Sequence, residues 1–165
     1  MLLKFLTPFC LLFAASAQAA PPPDLLPVKQ ISLELARDIA MHSVETCRKQ
    51  GFNVSAVVID RGGNVQAALR DTFAARYTLE IAERKAGAAL MSGIDSGSFR
   101  AARADIRQEL NHIAGLLMVE GGVPIRAAGS LVGSVGVSGA PGGDKDAACA
   151  NAALKAVEDR LELAP

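Results

Sequence analysis

Tryptophan is absent from the 165-residue chain, tyrosine occurs once, and aromatic residues make up only 4 % of it. That leaves no stacking platform for unpaired bases. Nor is there an excess of one charge: 17 basic side chains stand against 17 acidic ones. With no basic run either, nucleic acid is not an expected partner. Cysteine is scarce, with three in all. Once an N-terminal segment holding Cys10 is removed, Cys47 and Cys149 remain, too few for a four-ligand structural zinc site. No G-x-S-x-G elbow occurs and neither of those cysteines has a histidine beside it, so no nucleophilic triad is signalled. Beyond the N-terminus no apolar run reaches the roughly 18 residues of a membrane-spanning helix.

What is present begins with an export signal. Lys4, the apolar stretch FLTPFCLLFAA and the small residues of Ala17-Gln18-Ala19 have the order of a cleavable signal peptide, assigned to residues 1–19. Residues 20–31 form a proline-rich leader. Residues 32–163 are long enough for one domain with a real core. The expected location is periplasmic or secreted, where disulfides survive, with no membrane attachment after cleavage.

Hydrophobic spacing predicts the elements. A helix starts at Ser32, a suitable N-cap, and stops at Gly51. Its apolar face holds Ala36, Ile39, Ala40, Ser43, Val44 and Cys47, while Asp38, His42, Glu45 and Lys49 lie on the other. VSAVVID (54–60) reads as a strand buried on both faces, and RGGN turns it back into VQAALR (65–70). Residues 76–92 form a helix whose Ala82, Ala86 and Ala89 permit close packing on a sheet, and residues 98–110 form another. GLLMV (115–119), VPIRAA (123–128) and LVGSVGVS (131–138) are the remaining strands, the last two joined by a Gly129-Ser130 turn. In the last of them Val132 shares a face with Ser134, Gly136 and Ser138. A final helix runs from Asp144, its cap, to about Leu163. Hairpins dominate, so the expectation is an α/β (α+β) domain with a five-stranded antiparallel sheet and helices on both faces.

The glycine-rich stretch GSLVGSVGVSGAPGGDKDAACA (129–150) raises the question of a phosphate loop. A P-loop places Ser or Thr after its lysine, and none follows Lys145. Asp144 and Asp146 in the first helical turn complement the helix dipole and would repel an anion. These glycines are better read as points of close backbone approach.

Two stretches carry a resemblance. GGVPIRAAGSLVGSVGVSGAPGGDKDAACANAAL and VSAVVIDRGGNVQAALRD resemble the signatures of the GlcG/HbpS family of haem-binding-type proteins, related to the C-terminal domain of PduO. The resemblance implies a profilin-like three-layer α/β/α fold, a homo-oligomer and haem as the ligand. If the first and last helices pack antiparallel, as that fold implies, Cys47 and Cys149 meet in a disulfide. Two small buried hydrophobes are the other reading.

Haem asks for an axial ligand, an apolar slot and cations for its propionates. His42 is either a solvated surface histidine or the iron ligand. His112, at a helix end, is either a hydrogen-bonded loop residue or a ligand. Tyr77 could ligate iron, although a helix start with an exposed hydroxyl is the plainer reading. Arg103 and Arg107, with Arg70 and Arg76, are propionate partners or members of a solvated face. Met91 and Met118 are expected in the core. The leading expectation is an exported haem-binding protein for sequestration, transfer or sensing rather than turnover. The alternative is an enzyme or accessory protein acting on a small 2-hydroxy acid or related metabolite.

Overall fold

A computed structural model describes residues 24–163, so the expected signal peptide lies outside the described residues. Helix α1 (Leu33–Lys49) starts where the Ser32 hydroxyl accepts the Leu35 amide at 3.2 Å. This cap satisfies one of the donors a helix start leaves unpaired. Just past its end, Gly51 turns the chain at φ +83°, a conformation open to a residue without Cβ. The buried residues of α1 are the six that helical spacing puts on one face.

Strand β1 (Ser55–Asp60) is buried along its whole length. It pairs antiparallel with β2 (Val65–Arg70) on one side and β4 (Ser130–Ser138) on the other. Strand β3 (Gly122–Ala127) pairs antiparallel with β4, giving the order β2-β1-β4-β3. Helices α1 and α5 (Gly143–Ala156) cover one face, packing Ile39, Cys47, Cys149 and Ala153 against Val58, Ile125, Val135 and Val137. Helix α2 (Thr78–Ser92) covers the other, where Ala82 and Ala86 meet Val57 and Ile59. Three short helices complete the domain: α3 (Ser96–Ala102), α4 (Arg107–Leu110) and α6 (Glu158–Glu162).

The sheet has four strands, not five. Residues 115–119 are apolar because Leu116 and Met118 are buried, yet they form no strand. Their backbone donors go elsewhere: Leu117 N to the Arg84 carbonyl at 3.0 Å, Met118 N to Asn111 Oδ1 at 2.7 Å. The expected 98–110 helix is split into α3 and α4, which lets Phe99 and Leu110 both turn onto Met118. The last helix likewise breaks at Val157, where the buried side chain turns α6 toward the β3–β4 hairpin and Ala128 N donates to the Leu161 carbonyl. Its N-cap is Gly142 rather than Asp144.

Two details of β4 also differ from the simple alternation. Ala127 pairs with Ser130, so the hairpin turn is Ala128-Gly129, both at positive φ, a two-residue turn that matches strand twist. The register then slips: Ile125 faces Gly133 while Arg126 faces Leu131. Val132 is the extra residue of this bulge and joins Val135 and Val137 in the α1–α5 core rather than lying with Ser134.

Candidate functional site

The glycine-rich segment packs against backbone. A Cβ on Gly136 would collide with the Ala82 carbonyl of α2, and one on Gly122 with the Lys85 carbonyl. A Cβ on Gly143 would lie 2.7 Å from the Glu120 carbonyl oxygen. These contacts bring α2, β4 and the start of α5 together around a buried ion pair. Lys85 Nζ lies 2.7 Å from Asp146 Oδ2, and each residue is only 3 % exposed. The ammonium also donates to the Val137 carbonyl at 3.1 Å, and Asp146 Oδ1 accepts the Ala140 amide at 3.0 Å. Burial pushes the Asp146 carboxyl above the usual carboxylate range, and the Lys85 ammonium opposes that. Above the pair, a Cβ on Gly121 would come within 2.8 Å of Lys85 Nζ, so only glycine lets the chain cross there. Asp146 is thus an internal strut rather than a first-turn dipole partner exposed to solvent.

A second buried carboxylate organises the β1–β2 turn. Asp60 Oδ1 accepts the Gly62 and Asn64 amides at 2.8 and 2.9 Å. Its Oδ2 accepts Gln66 Nε2 at 3.1 Å and, from the leader, Gln30 Nε2 at 2.8 Å. Burial is the largest single influence and acts to raise its pKa, but the hydrogen bonds from Asn64, Gln30 and Gln66 together hold it below the ordinary 3.8. A carboxylate whose folded pKa is depressed stabilises the fold above its unfolded pKa and loses that contribution as pH falls through the folded value. The stability difference between the protein and Asp60→Asn should therefore be largest near neutrality and shrink below about pH 3.8. Urea midpoints at a series of pH values measure this; a gap that stays constant to pH 2 would refute it.

The structure sets the sequence-selected residues on separate elements. His42 lies on the outer face of α1, partly exposed, with Nδ1 3.8 Å from Glu45 Oε2. His112 is exposed just after α4. Tyr77 precedes α2, is 62 % exposed and carries the Arg76 guanidinium 4.8 Å from its ring centroid. Arg103 is exposed and lies 3.4 Å from Asp105, while Arg107 is half-buried at the start of α4. Met118 is in the core as expected, but Met91 is 56 % exposed. Spacing on α2 explains this: Met91 falls beyond the stripe of Ala82, Ala86 and Ala89 that meets the sheet. Among the described residues no group of three or more His, Cys, Asp or Glu side chains is placed to hold a metal ion. No described helix is long and apolar enough to cross a membrane.

The sulfurs of Cys47 and Cys149 are joined in a disulfide between α1 and α5, with Cα atoms 5.6 Å apart. Both residues are fully buried. Of the clefts, one of about 450 Å³ runs along the outer side of α2. Ile59, Leu90, Met91 and Leu116 supply its apolar lining, and Arg61 and Glu83 its charges. A groove of about 270 Å³ lies between the leader, the start of α1 and α6. None of His42, His112, Tyr77, Arg103 and Arg107 lines either one. Sequence reading passed over Arg61, Glu83 and Lys85. The signal for Lys85 was its place three residues after Ala82, on the buried stripe of α2.

Comparison with known proteins adds a lineage to this geometry. Residues 31–155 match the family described as haem degrading protein HbpS-like. Protein GlcG of Escherichia coli K12 is 31 % identical over 108 residues, which cover 66 % of this chain and 81 % of that protein. The crystal structure of HbpS superposes with a TM-score of 0.77 at 35 % identity, covering 84 % of this chain and 98 % of HbpS. The Klebsiella pneumoniae protein ORFY shares the fold at 23 % identity, also with a TM-score of 0.77 and the same coverage of both chains. With most of its described length accounted for in this way, the chain belongs to the HbpS-like family.

Proposed function

We propose that the protein is an exported, homo-oligomeric haem-binding protein that sequesters, transfers or senses haem. Membership of a family described by haem chemistry is the observation that carries this reading. Haem is here a cargo, and one side chain of the chain, His42, is of a type that ligates its iron. His42 offers a partly exposed imidazole, a usual iron ligand, and only its Nδ1 is engaged, by Glu45. His42 stands on an open helix face and lines no described cleft, so a second copy of the chain would be needed to enclose a ligand held there. The buried Cys47–Cys149 bridge supports export, because such bonds persist in oxidising compartments.

Hemin titration of the purified protein tests the proposal. A saturable Soret shift is expected, weakened about tenfold or more in His42→Ala, and light scattering should report an assembly larger than one chain. Absence of any saturable shift would overturn haem binding. Stabilisation by small hydroxy acids with indifference to hemin would move the protein to the metabolite-enzyme reading.

A further inference from the structure

We propose that the loop between β2 and α2, together with the end of α1 beside it, is a docking surface for an anionic lipid membrane. The fold gathers these segments at one pole. Arg48, at the end of α1, binds the Asp71 carboxylate at 2.9 Å, and the Asp71 amide donates to the Val54 carbonyl just ahead of β1. Thr78, the first residue of α2, lies beside Ser55 with the two hydroxyls 2.7 Å apart.

The loop is held with its aromatic side chains outside. Asp71, Ala74 and Thr78 are its buried members. Asp71 Oδ1 accepts the Thr72 amide at 2.7 Å, and the Asp71 carbonyl accepts the Ala74 amide at 3.0 Å. The Arg70 guanidinium donates to the Ala74 carbonyl, and the Thr78 amide to the Ala75 carbonyl at 3.1 Å. Tied at these points, the segment leaves Phe73 83 % and Tyr77 62 % exposed. The described aromatic side chains are Phe52, Phe73, Tyr77 and Phe99, so half of them stand bare on this one loop. Such a concentration marks an interaction surface.

The charge around the rings is of one sign. Lys49, Arg70 and Arg76 are exposed, and the Arg76 guanidinium lies 4.8 Å from the Tyr77 ring centroid. The one acid between residues 70 and 77 is Asp71, buried and already matched by Arg48. The first acids along the flanking helices have their own partners: Glu80 lies 3.7 Å from Arg84, and Glu45 3.8 Å from His42. No residue of 70–77 lines a described cleft, so the loop projects without a pocket to seat a protein's side chain. A headgroup layer needs no such pocket. Its phosphates match the cations, the Phe73 ring enters the acyl boundary, and Tyr77 keeps its hydroxyl at headgroup level. One ring and a few cations make a weak signal, so the contact is reversible and needs no spanning segment.

The chain has no tryptophan, which makes a Phe73→Trp variant a direct reporter. Phosphatidylglycerol vesicles should shift its emission to the blue, and phosphatidylcholine vesicles or high salt should leave it unshifted. In co-sedimentation with phosphatidylglycerol vesicles, Phe73→Ser should bind about tenfold more weakly than the parent and Arg76→Gln about fivefold. The N-terminal segment is common to every variant and drops out of these ratios. Both positions are exposed, so the urea midpoints should stay with the parent's. No blue shift, or equal sedimentation of Phe73→Ser and the parent, would overturn the assignment. A changed assembly size for Phe73→Ser without vesicles would overturn it too, by making the loop an interface between copies. Loss of the parent's hemin Soret shift in Phe73→Ser would do the same, by giving the loop to haem.

Discussion

Replacing Lys85 with methionine is expected to lower the free energy of unfolding by about 3–5 kcal/mol, the loss typical of removing one partner from a buried ion pair. The loss comes less from the missing attraction than from what stays behind. Asp146 would remain almost wholly buried with its Oδ2 unopposed, and the Val137 carbonyl would lose the donor at 3.1 Å. Gly121 and Gly122 leave no slack here, since their backbones already lie against Lys85. Asp146→Asn should cost a similar amount, because it leaves the buried Lys85 ammonium without its counter-charge and offers one amide oxygen in place of the two carboxylate oxygens that accept from Lys85 and Ala140. The double variant Lys85→Met, Asp146→Leu should recover much of the single loss, as apolar replacements of buried pairs commonly do. Urea unfolding of all three decides it. A Lys85→Met variant within 1 kcal/mol of the parent would mean that Asp146 has found water or taken up a proton without penalty.

Removing the bridge between α1 and α5 by Cys47→Ala with Cys149→Ala should cost about 3 kcal/mol or somewhat more. The two cysteines are 102 residues apart, so the bond closes nearly the whole domain into one loop and restricts its unfolded chain strongly. Both sulfurs lie in the main core among Ile39, Val44 and Ala153, so two alanines also leave a small unfilled volume. Adding reductant to the unfolded parent, then refolding, separates the two contributions because the thiols still fill the space. Two free thiols by non-reducing mass spectrometry in protein recovered from an oxidising compartment would remove the premise, and equal midpoints with and without reductant would remove the prediction.

Much of this architecture was legible in the sequence, for local reasons. The Ser32 cap, the Gly51 stop and the six-residue apolar face define α1 without reference to anything else, and RGGN between two short runs defines the first hairpin. The apolar run at 115–119 could not be sorted in that way, because a segment buried against a helix and one buried in a sheet look alike over five residues. Val132 was misplaced because a bulge is a property of the pair of strands, not of one. Lys85 went unnoticed since a lysine is ordinarily taken to be solvated, although its position on the alanine stripe argued otherwise. Arg61 and Glu83 carry no local mark at all; a turn and a helix become neighbours only when α2 lies down on the sheet. His42 was placed correctly on the polar face of α1 by spacing alone.

The hydrogen bond from Gln30 to Asp60 has a bearing on how the chain tolerates trimming. Gln30 belongs to the leader, one residue before the stretch shared with the family begins. A protease or a cloning boundary that removed it would strip a donor from a buried carboxylate thirty positions away and slacken the rim beside Arg61. The shortest version of this protein that keeps its full shape therefore starts upstream of the conventional domain edge.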